Sequence, residues 1–117
     1  MNLDNAISAH AEWKMKLRSA IAAQSQLDAA TISKDNCCPL GQWLHGEARA
    51  KYGHLEGFRR CLEAHANFHR EAGRVAQLIN QKKFSEAEAA IGLNTHYAVA
   101  SSEAGAAIIH LKRESGL

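Results

Sequence analysis

Proline is nearly absent from this chain, with one in 117 residues, and glycine is held to eight. So few turn-formers argue against a turn-rich β fold and against a disordered, low-complexity chain. Aromatic residues make up only 6%, with no basic block interleaved among them, so nothing points to nucleic acid. The formal net charge is +2, from dispersed charges. No apolar run approaches the roughly 20 residues of a membrane span. The start, Met1 to Ala6, lacks the basic and apolar regions of a secretory signal. Three cysteines, two of them adjacent (Cys37, Cys38 and Cys61), make a poor disulfide framework and suit a reducing compartment. The expectation is a cytoplasmic chain with no membrane contact.

What is present points to helix and to metal. Hydrophobic residues at 46% and charged residues at 22% are ordinary for a globular domain, and the length suits one domain over residues 1–117. Alanine is abundant and β-branched residues are sparse. Seven histidines are many for this length.

Apolar periodicity predicts a first helix from Leu3 to Leu27, with Ile7, His10, Trp13, Leu17 and Ile21 on one stripe. A polar break follows from Asp28 to Cys37. A short helix starts at Cys38, where Pro39 suits the first turn, and Gly46 ends it. Glu47 to Gly57 is ambiguous. A long helix is expected over Phe58 to Gln81, with a core stripe of Phe58, Cys61, Leu62, His65, Phe68, His69, Ala72, Val75, Ala76 and Ile79. A last helix is expected from Phe84 to Arg113, burying Phe84, Ala87, Ile91, Ala98, Ala106, Ile109 and Leu111. These elements predict an all-α fold: an antiparallel four-helix bundle with an additional short helix carrying a cysteine ligand.

His65 and His69 stand four residues apart, so their imidazoles share a helix face and can grip one ion. His10 comes from the inward stripe of the first helix. Cys38 comes from the start of the short helix, where the helix dipole and free N–H groups are expected to lower the thiol pKa. These four form the candidate zinc set. Taken singly, a core histidine or a helix-start cysteine is an ordinary structural residue. Together they resist that reading, since burying three unpaired imidazoles costs several kcal/mol. Cys61 competes, lying four before His65. A stripe through Cys61, His65 and His69 spans about 12 Å, too long for one ion, so Cys61 is read as core. Cys37 is read as a neighbour or a resolving thiol. His45, His54, His96 and His110 are assigned to the surface.

The motifs Ala9-His10 with Trp13-Lys14, Cys38-Pro39-Leu40-Gly41-Gln42-Trp43-Leu44 and His65-Ala66-Asn67-Phe68-His69 closely resemble the chemoreceptor zinc-binding domain, or CZB, over nearly the whole chain. The resemblance implies a small helical bundle, commonly homodimeric, as found in bacterial chemoreceptors and diguanylate cyclases. It implies zinc held by three histidines and one cysteine, which fall on His10, Cys38, His65 and His69. It also implies sensing of zinc, or of oxidants such as hypochlorous acid, with output to chemotaxis or cyclic-di-GMP signalling. No coiled-coil signalling region, cyclase domain or membrane segment accompanies these motifs, so the expectation is a stand-alone member or an excised domain.

The functional expectation is thus a regulatory sensor, not an enzyme. The main alternative is a purely structural zinc-stabilised dimerisation domain. A catalytic zinc site is disfavoured because four protein ligands leave no open position and no Glu lies between His65 and His69. A haem or di-iron centre is disfavoured by the lack of a Glu-x-x-His motif and by the thiolate.

Overall fold

One 25-residue helix, Glu56–Asn80, organises the molecule. In a computed structural model describing all 117 residues, eight helices and no strand are present: α1 (Leu3–Ala11), α2 (Trp13–Ala23), α3 (Ala29–Ile32), α4 (Pro39–His45), α5 (Glu47–Tyr52), α6 (Glu56–Asn80), α7 (Phe84–Ala90) and α8 (His96–Ser115). The all-α expectation is met. Three long rods, α1–α2, α6 and α8, carry the architecture, with the short helices packed around them. α8 lies along α6, α1 against α8, and α2 against α6 and α7.

The stripe expected on α6 is the stripe observed: every residue named above is buried except the partly exposed Leu62. Two cores share it. One gathers Leu17, Phe68, Ala72, Val75, Ile79, Ile91 and Tyr97. The other gathers Leu3, Leu40, Leu44, Phe58, Cys61, Ile108 and Leu111. Along α6, His65 falls between Cys61 of the second core and Phe68 of the first.

Three helix boundaries differ from expectation, the first being a turn at Glu12 that divides the expected first helix into α1 and α2. The first helix stops at Ala23 rather than Leu27, because Gln24 turns left-handed (φ 53°) and its N–H closes onto Ala20 and Ile21. The chain then leaves the helix axis so that Leu27 exchanges two hydrogen bonds with Asn80. The Leu27 N–H donates to Asn80 Oδ1 at 2.8 Å, and Asn80 Nδ2 donates to the Leu27 carbonyl at 2.7 Å. The expected last helix is two, α7 and α8. Asn94 adopts a left-handed φ of 62°, and Thr95 caps α8 by accepting from the Ala98 N–H. Restarting at His96 resets the helical phase. Tyr97, Ala100, Ala104, Ala107 and Ile108 are therefore buried with Leu111, while the expected Ala106 and Ile109 face outward and Ala98 is only partly covered.

The polar break also holds a turn of helix, α3, capped by Asp28, which accepts from the Thr31 N–H and hydroxyl. α3 packs on α6. At the other end of α6, Glu114 of α8 accepts the Gly57 N–H at 2.9 Å, so a neighbouring helix supplies the cap that Leu55 does not.

Candidate metal centre

Cys38 is the N-cap of α4. Its backbone is extended and its Sγ accepts the Gly41 N–H at 3.3 Å. Pro39 follows at the first helical position, where a missing N–H costs nothing. Gly41 is required by packing: a Cβ there would lie 1.6 Å from the Asp35 carbonyl oxygen. The loop before Cys38 is thereby pressed onto α4, and Asp35 closes the contact with a hydrogen bond between its carboxylate and His45 Nε2 at 2.8 Å. This fixes where the sulfur points.

It points at α6. Cys38 Sγ lies 3.2 Å from His65 Nε2 and 3.6 Å from His69 Nε2. The two Nε2 atoms are 3.1 Å apart. Ligands around a tetrahedral zinc, at about 2.0–2.1 Å for nitrogen and 2.3 Å for sulfur, stand about 3.3 Å apart as an N–N pair and about 3.6 Å apart as an S–N pair. The three donors therefore match one face of such a site. His69 Nδ1 donates to the Ile32 carbonyl at 2.9 Å, which leaves the lone pair on Nε2, facing the cluster. The donor set, one sulfur and two imidazole nitrogens, fits zinc. Cys38, His65 and His69 are the one His/Cys/Asp/Glu group in the chain with metal-binding spacing.

His10 is not within ligating distance of these three. It lines the same cavity, of about 280 Å³, but its Nε2 donates to the Ser101 carbonyl of α8 at 2.9 Å, with the Ser101 hydroxyl 3.2 Å away. The carbonyl can only accept, so Nε2 carries the proton and Nδ1 the lone pair. The ring packs edge-on against Phe68, centroids 4.3 Å apart.

Burial governs the electrostatics. It pushes His65 down to about 4, helped by the neighbouring His69. It also lowers His69, against the Ile32 hydrogen bond, and His10, against the Ser101 bond. All three rings are thus neutral at physiological pH, the form a metal needs. The Cys38 expectation is corrected. The N–H groups of Gly41 and Leu40 do favour the thiolate, but burial outweighs them and the thiol is raised. A bound cation would hold the sulfur deprotonated.

The remaining assignments sort cleanly. Cys61 is fully buried in the second core, pushed up to about 12 by burial, and outside the donor cluster. Cys37 is exposed. His45, His54 and His96 are exposed, and the half-covered His110 pairs with Glu114 at 2.6 Å. Sequence reasoning missed the supporting groups. The Ile32 carbonyl and Ser101 carry no sequence signal, since each acts through backbone brought close by folding. Asp35 sits just ahead of the cysteine motif and was legible only as part of a polar loop.

A family model described as the chemoreceptor zinc-binding domain matches residues 10–76, more than half of the 117-residue chain. The match contains His10, Cys38, His65 and His69 and ends inside α6, before α7 and α8. No curated protein and no solved structure matches the chain.

Proposed function

The chain belongs to the chemoreceptor zinc-binding domain family, and from that premise we propose that residues 1–117 act as a single regulatory sensor domain whose zinc is held by His10, Cys38, His65 and His69. The observation that carries this reading is the 3.1–3.6 Å triangle of Cys38, His65 and His69 donor atoms. His10, outside ligating distance in this structure, would complete the set through Nδ1, the nitrogen that Ser101 leaves with a lone pair, once its ring moves toward the other three donors. When bound, zinc neutralises the Cys38 thiolate and links α1, α4 and α6.

Cys38 is the responsive group. Hypochlorous acid takes two electrons from Sγ: an S–O bond forms, chloride leaves, and the residue becomes a sulfenic acid, a far poorer donor. The α4 N-cap then loses its anionic sulfur, and the segment carrying Trp43, which packs on Tyr52 with centroids 6.1 Å apart, is freed to repack. The output is a changed contact within a homodimer or with a chemotaxis or cyclic-di-GMP signalling partner. The domain is cytoplasmic and regulatory rather than catalytic, with no helix long and apolar enough to cross a membrane.

Metal analysis of the wild type beside Cys38→Ser tests the site. About one zinc per chain is expected in the wild type, held far more weakly by the variant. Equal retention in both would overturn it. Stoichiometric zinc whose Cys38 resists mild hypochlorous acid would instead establish a purely structural, dimer-stabilising role.

A further inference from the structure

α8 carries none of the proposed ligands, yet it holds one of them. His10 Nε2 donates to the Ser101 carbonyl of α8 at 2.9 Å, and the Ser101 hydroxyl stands 3.2 Å from the same nitrogen. A carbonyl oxygen has two lone pairs, so Ser101 can serve the α8 ladder and the imidazole together. The Ile32 carbonyl does the same for His69 through the other ring nitrogen. The two carbonyls therefore select opposite tautomers, leaving the lone pair on Nε2 in His69 and on Nδ1 in His10. A ligating histidine commonly gives its other N–H to such a carbonyl.

The rest of α1 gives His10 little support. Leu3 is its one buried residue. Its side-chain ties to distant parts of the chain both end on α8. One is His10 to Ser101, and the other is the Asp4 carboxylate, which accepts from Lys112 Nζ at 2.6 Å. α8 in turn is fixed to α6 near both ends. Tyr97 packs on Phe68, ring centroids 5.5 Å apart, and Glu114 accepts the Gly57 N–H at 2.9 Å. Between them Ala100, Ala104 and Ala107 are buried. Ser101 thus has a set place relative to His65 and His69, and His10 stands where Ser101 holds it.

We propose that Ser101 is a positioning residue for the metal centre: its carbonyl holds His10 as an Nδ1 donor, and the placement of α8 thereby sets zinc affinity. The proposal rests on the sensor reading, with His10 as fourth ligand, and names the element that regulates it. Coupling of this kind is reciprocal. A contact that shifts α8 changes zinc affinity, and zinc occupancy changes the placement of α8. α8 lies outside the matched residues 10–76, so the family match does not assign it this role.

Gly105 gives access to the Ser101 carbonyl without touching His10. A Cβ there would meet nothing within 4 Å, so Gly105→Ala serves as the control. Gly105→Pro removes the N–H four residues after Ser101 and drives the proline ring against the Ser101 carbonyl. Chelator competition on the full chain is expected to show zinc affinity about 10–100-fold weaker in Gly105→Pro and unchanged in Gly105→Ala. In a His10→Ala background, Gly105→Pro is expected to cost no more than about a further twofold. Full affinity in a folded Gly105→Pro chain, or an equal loss in the His10→Ala background, would overturn the proposal. Because the proline can unfold α8, the wild type carries a second test. With isotope-labelled histidine, NMR shifts of each ring show which nitrogen binds zinc. His10 is expected to bind through Nδ1 and to keep an Nε2 proton that exchanges slowly with water. Binding through Nε2, or rapid exchange of that proton, would overturn the proposal and leave the four-ligand set standing. Zinc held with the His10 ring uncoordinated would also overturn it, with Cys38, His65 and His69 still in place. Failure to bind zinc at all would sink the sensor reading itself, and this one with it.

Discussion

His69 Nδ1 donates its proton to the Ile32 carbonyl across 2.9 Å, tying the donor cluster on α6 to the single turn of α3. The bond selects the tautomer that presents Nε2 to a cation, and it makes the placement of α3 a determinant of metal affinity. Several of the consequences below run through such supports rather than through the ligands.

Gly73 faces α3, and a Cβ there would lie 2.0 Å from Ser33 Oγ and 3.0 Å from Ser33 Cα. Gly73→Ala is expected to push α3 outward and carry the Ile32 carbonyl away from His69. Zinc affinity should fall by about 10–100-fold, the usual cost of losing such a support. Competition with a chromophoric chelator measures it. Unchanged affinity in a folded variant would show that Ile32 does not orient His69.

Gly41 meets the Asp35 carbonyl oxygen. Gly41→Ala therefore has to lift the loop off α4, displacing Cys38. A stability loss of about 1–3 kcal/mol is expected from the overpacking, together with weaker zinc binding. Denaturant midpoints and zinc titration on one preparation test both. Loss of stability with full zinc affinity would argue that the sulfur tolerates movement of its loop.

Cys61→Ala is expected to do the opposite of Cys38→Ser. Cys61 is wholly buried among apolar side chains, so its loss should cost about 1 kcal/mol of stability. Zinc stoichiometry should stay at one per chain. A drop in bound zinc would make Cys61 the ligand.

Acid should destabilise the metal-free protein. His65 titrates at about 4 when folded, against an ordinary value of 6.5, and His10 and His69 shift in the same direction. As the pH falls, the unfolded chain takes up protons first. The stability from these neutral rings is therefore present above pH 6.5 and is lost as pH drops toward 4. His65 alone accounts for roughly 2–3 kcal/mol across that window. Urea midpoints of chelator-treated protein should decline through it, and a flat profile would contradict the burial of these rings.

Zinc removal should be visible in fluorescence. Trp13 lies 6.0 Å from the His69 ring, while Trp43 reports on α4 through Tyr52. In Trp13→Phe the remaining signal isolates Trp43. A zinc-dependent change there is expected if α4 responds to its capping sulfur. An identical spectrum with and without zinc would leave α4 fixed and remove the proposed output.

Much of this protein could be read directly from residue order, and the reason is local. The α6 stripe recurs at helical spacing over 25 residues, so burial follows from period alone. His65 and His69 share a face because 3.6 residues make a turn. Cys38, Pro39 and Gly41 encode a capped helix start within four positions. What needed the tertiary structure was everything set by groups distant in sequence. The first helix ends where Asn80 captures Leu27, 53 residues away. The break before α8 relies on local Asn94 and Thr95 signals, but its effect is a phase shift that only packing on α6 reveals. Residue spacing could propose that His10 joins the cysteine and the other two histidines. Only folding introduces Ser101, 91 positions on, as the partner of its Nε2, because a backbone carbonyl looks alike at every residue until the chain brings one into reach.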